Sequence, residues 1–258
     1  MNRQAQAAVM FLLGAALLHA GSTGLYLRYV KAGLQPLLLA SGAVLIAVAA
    51  ATAWYERRRA KASRSEDAGD THAHAGHAHA GAHADAGTPH PEPRISWLLV
   101  LPLLALILVA PPALGSYSAV RTGTALQQPY GYDRLPAGDP VPLSVVDYAS
   151  RAAYGNGRSL HGRTVRVTGF LALDHGGTPY LVRMALNCCA ADAQPVKIAL
   201  RGELPPVLQP DAWLEVTGTY TPGVTRDPVN DGPIPYLRVD RAKPVPTPRD
   251  PYDETWNN

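Results

Sequence analysis

The sequence predicts an integral membrane protein: three transmembrane helices followed by a small all-β domain with one short helix at its entry. Three observations carry this. Long apolar runs crowd the first 120 residues, and basic residues gather at the ends of those runs. From Arg163 onward polar and apolar positions alternate, the period of a half-buried strand. The chain has 258 residues and a formal net charge of +3, too small a surplus to argue for nucleic acid as a partner. Two cysteines are too few for a disulfide scaffold.

The first apolar run, Ala5 to Leu27, is long enough to cross about 30 Å of hydrocarbon as a helix. A cleaved signal peptide is the competing reading. Its best cleavage site, Leu18-His19-Ala20, has a large residue where a small one belongs, so a retained helix is expected. His19 lies in this run, followed by Gly21, Ser22, Thr23 and Gly24; it faces either protein or the headgroups. A short connection from Arg28 to Gly33 leads to a second run, Leu34 to Tyr55, with Pro36 in its first turn. Trp54 and Tyr55 mark an interface. Glu56-Arg57-Arg58-Arg59-Ala60-Lys61 follows, the densest positive cluster near any span, and places that end in the cytoplasm. Residues 1–61 thus read as a two-helix membrane hairpin.

Residues 62–94 are a low-complexity linker that cannot build a core and is expected to be disordered. It holds His72, His74, His77, His79, His83 and His90, six of the nine histidines. Imidazoles on a flexible loop bind zinc, copper or nickel loosely, because nothing fixes the rings. The same composition also suits a solvating spacer. A third span is expected over residues 95–116, from Trp97 to about Leu114, interrupted by Pro102 and closed by Pro111-Pro112. Three crossings put the N-terminus and the histidine-rich loop in the cytoplasm and the C-terminal half outside the cell membrane.

Residues 117–142 are rich in Pro and Gly and read as an extended linker. Ser144 then looks like an N-cap, with Asp147 three residues on, and Gly155-Asn156-Gly157 ends that helix. Strands are expected at Arg163–Phe170, Tyr180–Leu186, Val196–Leu200, Trp213–Tyr220 and Tyr236–Val239, with a turn at Asp174–Gly177. Five short strands within residues 143–243 suggest an OB-like barrel, a sandwich being the alternative. Residues 244–258 read as an extended tail.

The two cysteines, Cys188 and Cys189, are adjacent, and Asp192 follows. Four readings stand open. One thiol could face the core and the other be incidental, since neighbours in a strand point to opposite faces. The pair could form a strained, redox-active disulfide. The thiols with Asp192, His161 or His175 could hold zinc or copper. One thiol could act as a nucleophile with His161 or His175 as base, though no third orienting group is evident.

Four stretches resemble a known family: Leu25-Tyr-Leu-Arg-Tyr-Val-Lys-Ala-Gly-Leu-Gln-Pro-Leu37, Gly162-Arg-Thr-Val-Arg-Val-Thr-Gly-Phe170, Arg183-Met-Ala-Leu-Asn-Cys-Cys-Ala-Ala-Asp-Ala-Gln-Pro-Val196 and Trp213-Leu-Glu-Val-Thr-Gly218. With the apolar runs they are similar to the YcgQ-like family of uncharacterised bacterial membrane proteins. The likeness covers most of the chain and omits the histidine tract, and the cysteine motif with its Ala-Ala-Asp is its most specific part. Members are encoded beside a larger predicted permease, so the resemblance implies an accessory permease subunit rather than an enzyme. The expected partners are the lipid bilayer and that permease, with no nucleic acid. The expected metal ligands are the six tract histidines together with Cys188, Cys189 and Asp192, and the expected ion is zinc or copper. The alternative is a membrane-anchored thiol redox protein.

Overall fold

The computed structural model describes residues 3–67, 101, 104–105, 108–109 and 112–253 apart from 208. They fall into two compact units, one of residues 1–23 and 36–111, the other of Gly24–Gln35 and Pro112–Asn258.

In the first unit, α1 (Arg3–Thr23) and α2 (Gln35–Asp67) carry the first two apolar runs. Among the described residues, two helices are long and apolar enough to cross a membrane, over Ala5–Thr23 and Ala32–Arg59. They approach closely where both lack side chains. A Cβ on Gly14 would come within 2.8 Å of the Gly42 carbonyl oxygen and of Ile46 Cγ1. Small residues at such a crossing let backbones meet in an apolar solvent. Phe11, Leu37 and Val44 are exposed on these helices, a surface that would suit lipid. Arg58 stacks on the Trp54 ring at 3.8 Å beyond the apolar stretch. The third expected span lies for the most part outside the described residues. Its end, Ala113 and Leu114, is irregular chain of the second unit and packs against an apolar cluster there.

The second unit is built on a closed barrel of β2 (Thr164–Leu173), β3 (Pro179–Ala185), β4 (Gln194–Gly202), β5 (Trp213–Arg226) and β6 (Pro233–Pro244). Around the barrel the order is β2-β5-β6-β4-β3, closed by β3 on β2; β4 and β6 run parallel and the other neighbours antiparallel. Alternation decides which side chains go inside. Val165, Val167 and Leu171 of β2 meet Leu181, Val196, Ile198, Leu214, Val216, Leu237 and Val239 in one core. The short helix α4 (Val145–Ala153) closes one end of it with Val145, Tyr148, Ala149 and Ala152. The Ser144 side chain accepts a hydrogen bond from the Asp147 N–H at 3.0 Å, the capping that the sequence predicts. Burial pushes the Tyr148 phenol well above its usual range, and its hydroxyl donates to the Tyr236 carbonyl at 2.6 Å.

The structure adds elements at the barrel's edges. β1 (Val141–Leu143) pairs parallel with β2 and begins within the stretch expected to be linker. Pro142 hides it in the sequence, yet proline is tolerated on an edge strand. Likewise β6 runs well beyond Tyr236–Val239 because Pro233 and Pro235 sit in the β5–β6 ladder rather than in turns. The tail is not free: β7 (Tyr252–Asp253) pairs with Met184 and Ala185 of β3. A second apolar cluster lies on the outer side of the sheet. There Phe170, Tyr180, Val182, Met184, Leu186 and Trp213 are covered by Tyr252 and by Ala119 of α3 (Ser116–Arg121). The compact unit therefore takes in more chain than residues 143–243.

Candidate metal centre

β3 ends where Leu186, fully buried in the second cluster, donates its N–H to the Asp253 carbonyl at 3.1 Å. The chain then leaves the sheet and turns back into β4. Asp192 makes that turn. Its carboxylate accepts from the Asn187 N–H at 3.1 Å through Oδ1 and from the Cys188 N–H at 2.9 Å through Oδ2. A short 3₁₀ turn, Ala190–Asp192, carries the carboxylate into position. Short acids favour such local bonds to nearby amides. Cys189 precedes the turn with extended backbone, φ −153° and ψ 167°.

This places Cys188, Cys189 and Asp192 together, with one ligand atom from each within 4.8 Å of the others. Two sulfurs bound about 2.3 Å from a tetrahedral zinc lie about 3.7 Å apart, so small side-chain rotations bring this set onto an ion. Both thiols are free; Cys188 is exposed and Cys189 half-buried. The Cys188 thiol is pushed up to about 11, first by its hydrogen bond to the Asp192 carboxylate and then by that to Cys189. For Asp192, burial acts to raise the pKa. The bonds it accepts from the Cys188 thiol and from the amides of Cys188, Asn187 and Cys189 outweigh burial and hold it below the usual carboxylate range. The donor set of two sulfurs and one oxygen suits zinc, cadmium or copper(I) rather than calcium or magnesium.

His161 and His175 do not join the cluster. His161 stands edge-on to the Tyr220 ring at 5.3 Å, and His175 sits in the exposed turn after β2, where the Asp174 side chain accepts from the Gly176 and Thr178 amides. His72, His74, His77, His79, His83 and His90 lie outside the described residues.

The segment between α1 and α2 is the part of the site that sequence reasoning missed. It forms an isolated antiparallel bridge, Val30 to Cys189. The Lys31 N–H donates to the Cys188 carbonyl at 3.1 Å, and the Ala190 N–H donates to the Tyr29 carbonyl at 2.7 Å. Tyr26 and Leu27 are buried beside it, and the Tyr252 hydroxyl donates to the Arg28 carbonyl at 2.9 Å. The stretch Leu25–Leu37 is one of those quoted for the family resemblance, which is the one signal in the sequence that marks it.

These features define a small-barrel domain with a thiol–carboxylate cluster, attached to helices able to cross a membrane. Residues 149–253 match the family model of the DUF1980 C-terminal domain, a span that runs from within α4 to the end of β7 and includes the whole cysteine turn. The match covers the barrel domain and its cysteine turn, and shows that this domain is similar to an uncharacterised domain family. No curated protein and no solved structure matches the chain.

Proposed function

We propose that this protein is the accessory, non-enzymatic subunit of a membrane permease, as its YcgQ-like sequence features imply. In this reading an OB-like domain outside the cell membrane binds a zinc or copper ion through Cys188, Cys189 and Asp192. The observation that carries the metal part is the convergence of three ligand atoms within 4.8 Å on an exposed turn.

The multi-pass reading is supported by chain connectivity. Residues 24–35 belong to the same compact unit as the barrel. If α1 and α2 both cross the membrane, the chain leaves α2 on the face opposite those residues. It must then cross once more before Pro112, and the apolar run from Trp97 to Leu114 is where it would do so. The cytoplasmic histidine tract would then hold ions loosely on the other side.

Titration of the full chain in detergent micelles with Zn²⁺, Cu⁺ and Cd²⁺ tests the site. Wild type is expected to bind with a metal–thiolate charge-transfer band, and a Cys188→Ser/Cys189→Ser variant to lack that band and the matching stoichiometry. Equal binding and equal spectra in the two would sink the proposal.

A further inference from the structure

We infer that the Arg28–Lys31 segment is the backing that shapes the cysteine turn for its ion, so that ion binding and docking of this segment are coupled. The inference rests on the metal reading of the preceding subsection. Cys189 has a main-chain bond to the segment on either side of it: the Cys188 carbonyl accepts from Lys31 and the Ala190 N–H donates to Tyr29. Together these two bonds hold the Cys189 backbone extended. That conformation fixes where its Cβ points and hence where the second sulfur can reach. Asp192 secures the other flank through the amides of Asn187 and Cys188. The turn is thus held from two directions, one local in sequence and one supplied from the distant segment near the N-terminus.

Groups that orient metal ligands without touching the metal are themselves part of the site's affinity. The ion selects the arrangement in which Cys188, Cys189 and Asp192 converge, and the segment docks to that same arrangement. Two events that favour one conformation strengthen each other by equal factors. The segment is anchored at a second point by the Tyr252 hydroxyl on the Arg28 carbonyl and by buried Tyr26 and Leu27. It is also the link between α1 and α2 in the chain.

The substitution that isolates the effect is Lys31→Pro. Lys31 has φ −55° and ψ 139°, a backbone that proline adopts, so the change removes the N–H to Cys188 and fits the local φ. Lys31→Ala keeps the N–H and controls for the lost side chain. The full chain in detergent micelles is titrated with Cd²⁺ alone, read by the thiolate charge-transfer band, and its amide hydrogen exchange is measured with and without Cd²⁺. Lys31→Pro is expected to weaken Cd²⁺ binding roughly 10-fold relative to Lys31→Ala. In wild type Cd²⁺ is expected to slow exchange at the Lys31 and Ala190 amides, and in Cys188→Ser/Cys189→Ser to leave them unchanged. The coupling is overturned if both Lys31 variants bind Cd²⁺ alike, or if thiol-bound Cd²⁺ leaves those two amides unprotected in wild type. The exchange result decides the matter even where the proline variant folds poorly. Binding that ignores the cysteines instead refutes the metal reading itself.

Discussion

Lys197→Met tests the energetics that hold the cysteine turn's foundation in place. Lys197 lies in β4, five residues after Asp192, and its side chain is only 4% exposed. Its Nζ donates to Asp227 Oδ2 at 2.7 Å and to the Thr122 carbonyl at 2.9 Å. Asp227, whose side chain is 0% exposed, also accepts from the Thr124 and Val229 amides at 2.8 and 2.9 Å. One ion pair thus ties three pieces together: β4, the 122–124 strap and the turn between β5 and β6. Methionine keeps most of the stem's volume but leaves a buried carboxylate with two amide partners and no counter-charge. Removing one partner of such a pair costs about 3–5 kcal/mol. For a domain of this size each kcal/mol lowers Tm by about 2–4 °C, so the expected fall is about 6–20 °C. The assay is a thermal melt of the full chain in detergent, followed by near-ultraviolet circular dichroism. Lys197→Met combined with Asp227→Leu should recover part of the loss, because the stranded charge is then gone. A Lys197→Met shift below about 2 °C would refute the reasoning, since it would mean the carboxylate reaches water or a proton without disturbing the fold.

Two further outcomes follow from local geometry. Asp192→Asn removes the charged acceptor of the Cys188 thiol, so the thiol pKa should fall from about 11 toward the ordinary range. Iodoacetamide labelling of Cys188 near neutral pH should then speed up on the order of 10-fold or more, and an unchanged rate would mean that the carboxylate does not govern the thiol. The sign of the pH effect in the parent protein is set by the same bond. Because the thiol's folded pKa is raised, its share of the turn's stability is fully present below the unfolded value of about 8.5 and is lost as pH rises through about 11. Ser144→Ala should destabilise the second unit by about 1 kcal/mol through loss of the N-cap of α4, visible as a small drop in the denaturation midpoint, whereas Ser144→Asp should be nearly neutral.

The parts of the fold that were legible in the sequence are those decided by neighbours along the chain. Alternation in Arg163–Phe170 marks β2 because each residue's face is set by its own parity. The cap at Ser144 and the turn at Asp174 depend on bonds three or four residues long. The cysteine cluster is legible for the same reason, since Asp192 reaches back only four and five residues to clasp the turn. What stayed hidden is decided by partners far away. β7 is two residues long and is a strand only because β3 offers an open edge. Lys197 reads as an outward-facing strand residue, and it does face out of the barrel. Nothing near it in the sequence says that the 122–124 strap covers that surface. The Val30–Cys189 bridge joins residues far apart in the chain, so no local pattern could announce it.

That bridge also turns membrane topology into a question of parity rather than of charge counting. Positive residues after α2 argue for an inside end, but with Arg3 alone at the N-terminus the rule has little to compare. The hydrogen bonds between Tyr29–Lys31 and Cys188–Ala190 make a different demand. If the apolar helices cross a membrane, residues 24–35 and the barrel share one face of it. If α1 and α2 both cross, the end of α2 near Asp67 must lie on the other. Cysteines introduced at Ser65 and at Thr247, in a Cys188→Ser/Cys189→Ser background, can be labelled in sealed vesicles with a membrane-impermeant maleimide. The expected result is labelling of one position and protection of the other, exchanged when the vesicles are inverted. Labelling of both from the same side would mean an even number of crossings between them. The chain would then have no third span, and residues 24–35 could not both link two membrane helices and bind the cysteine turn.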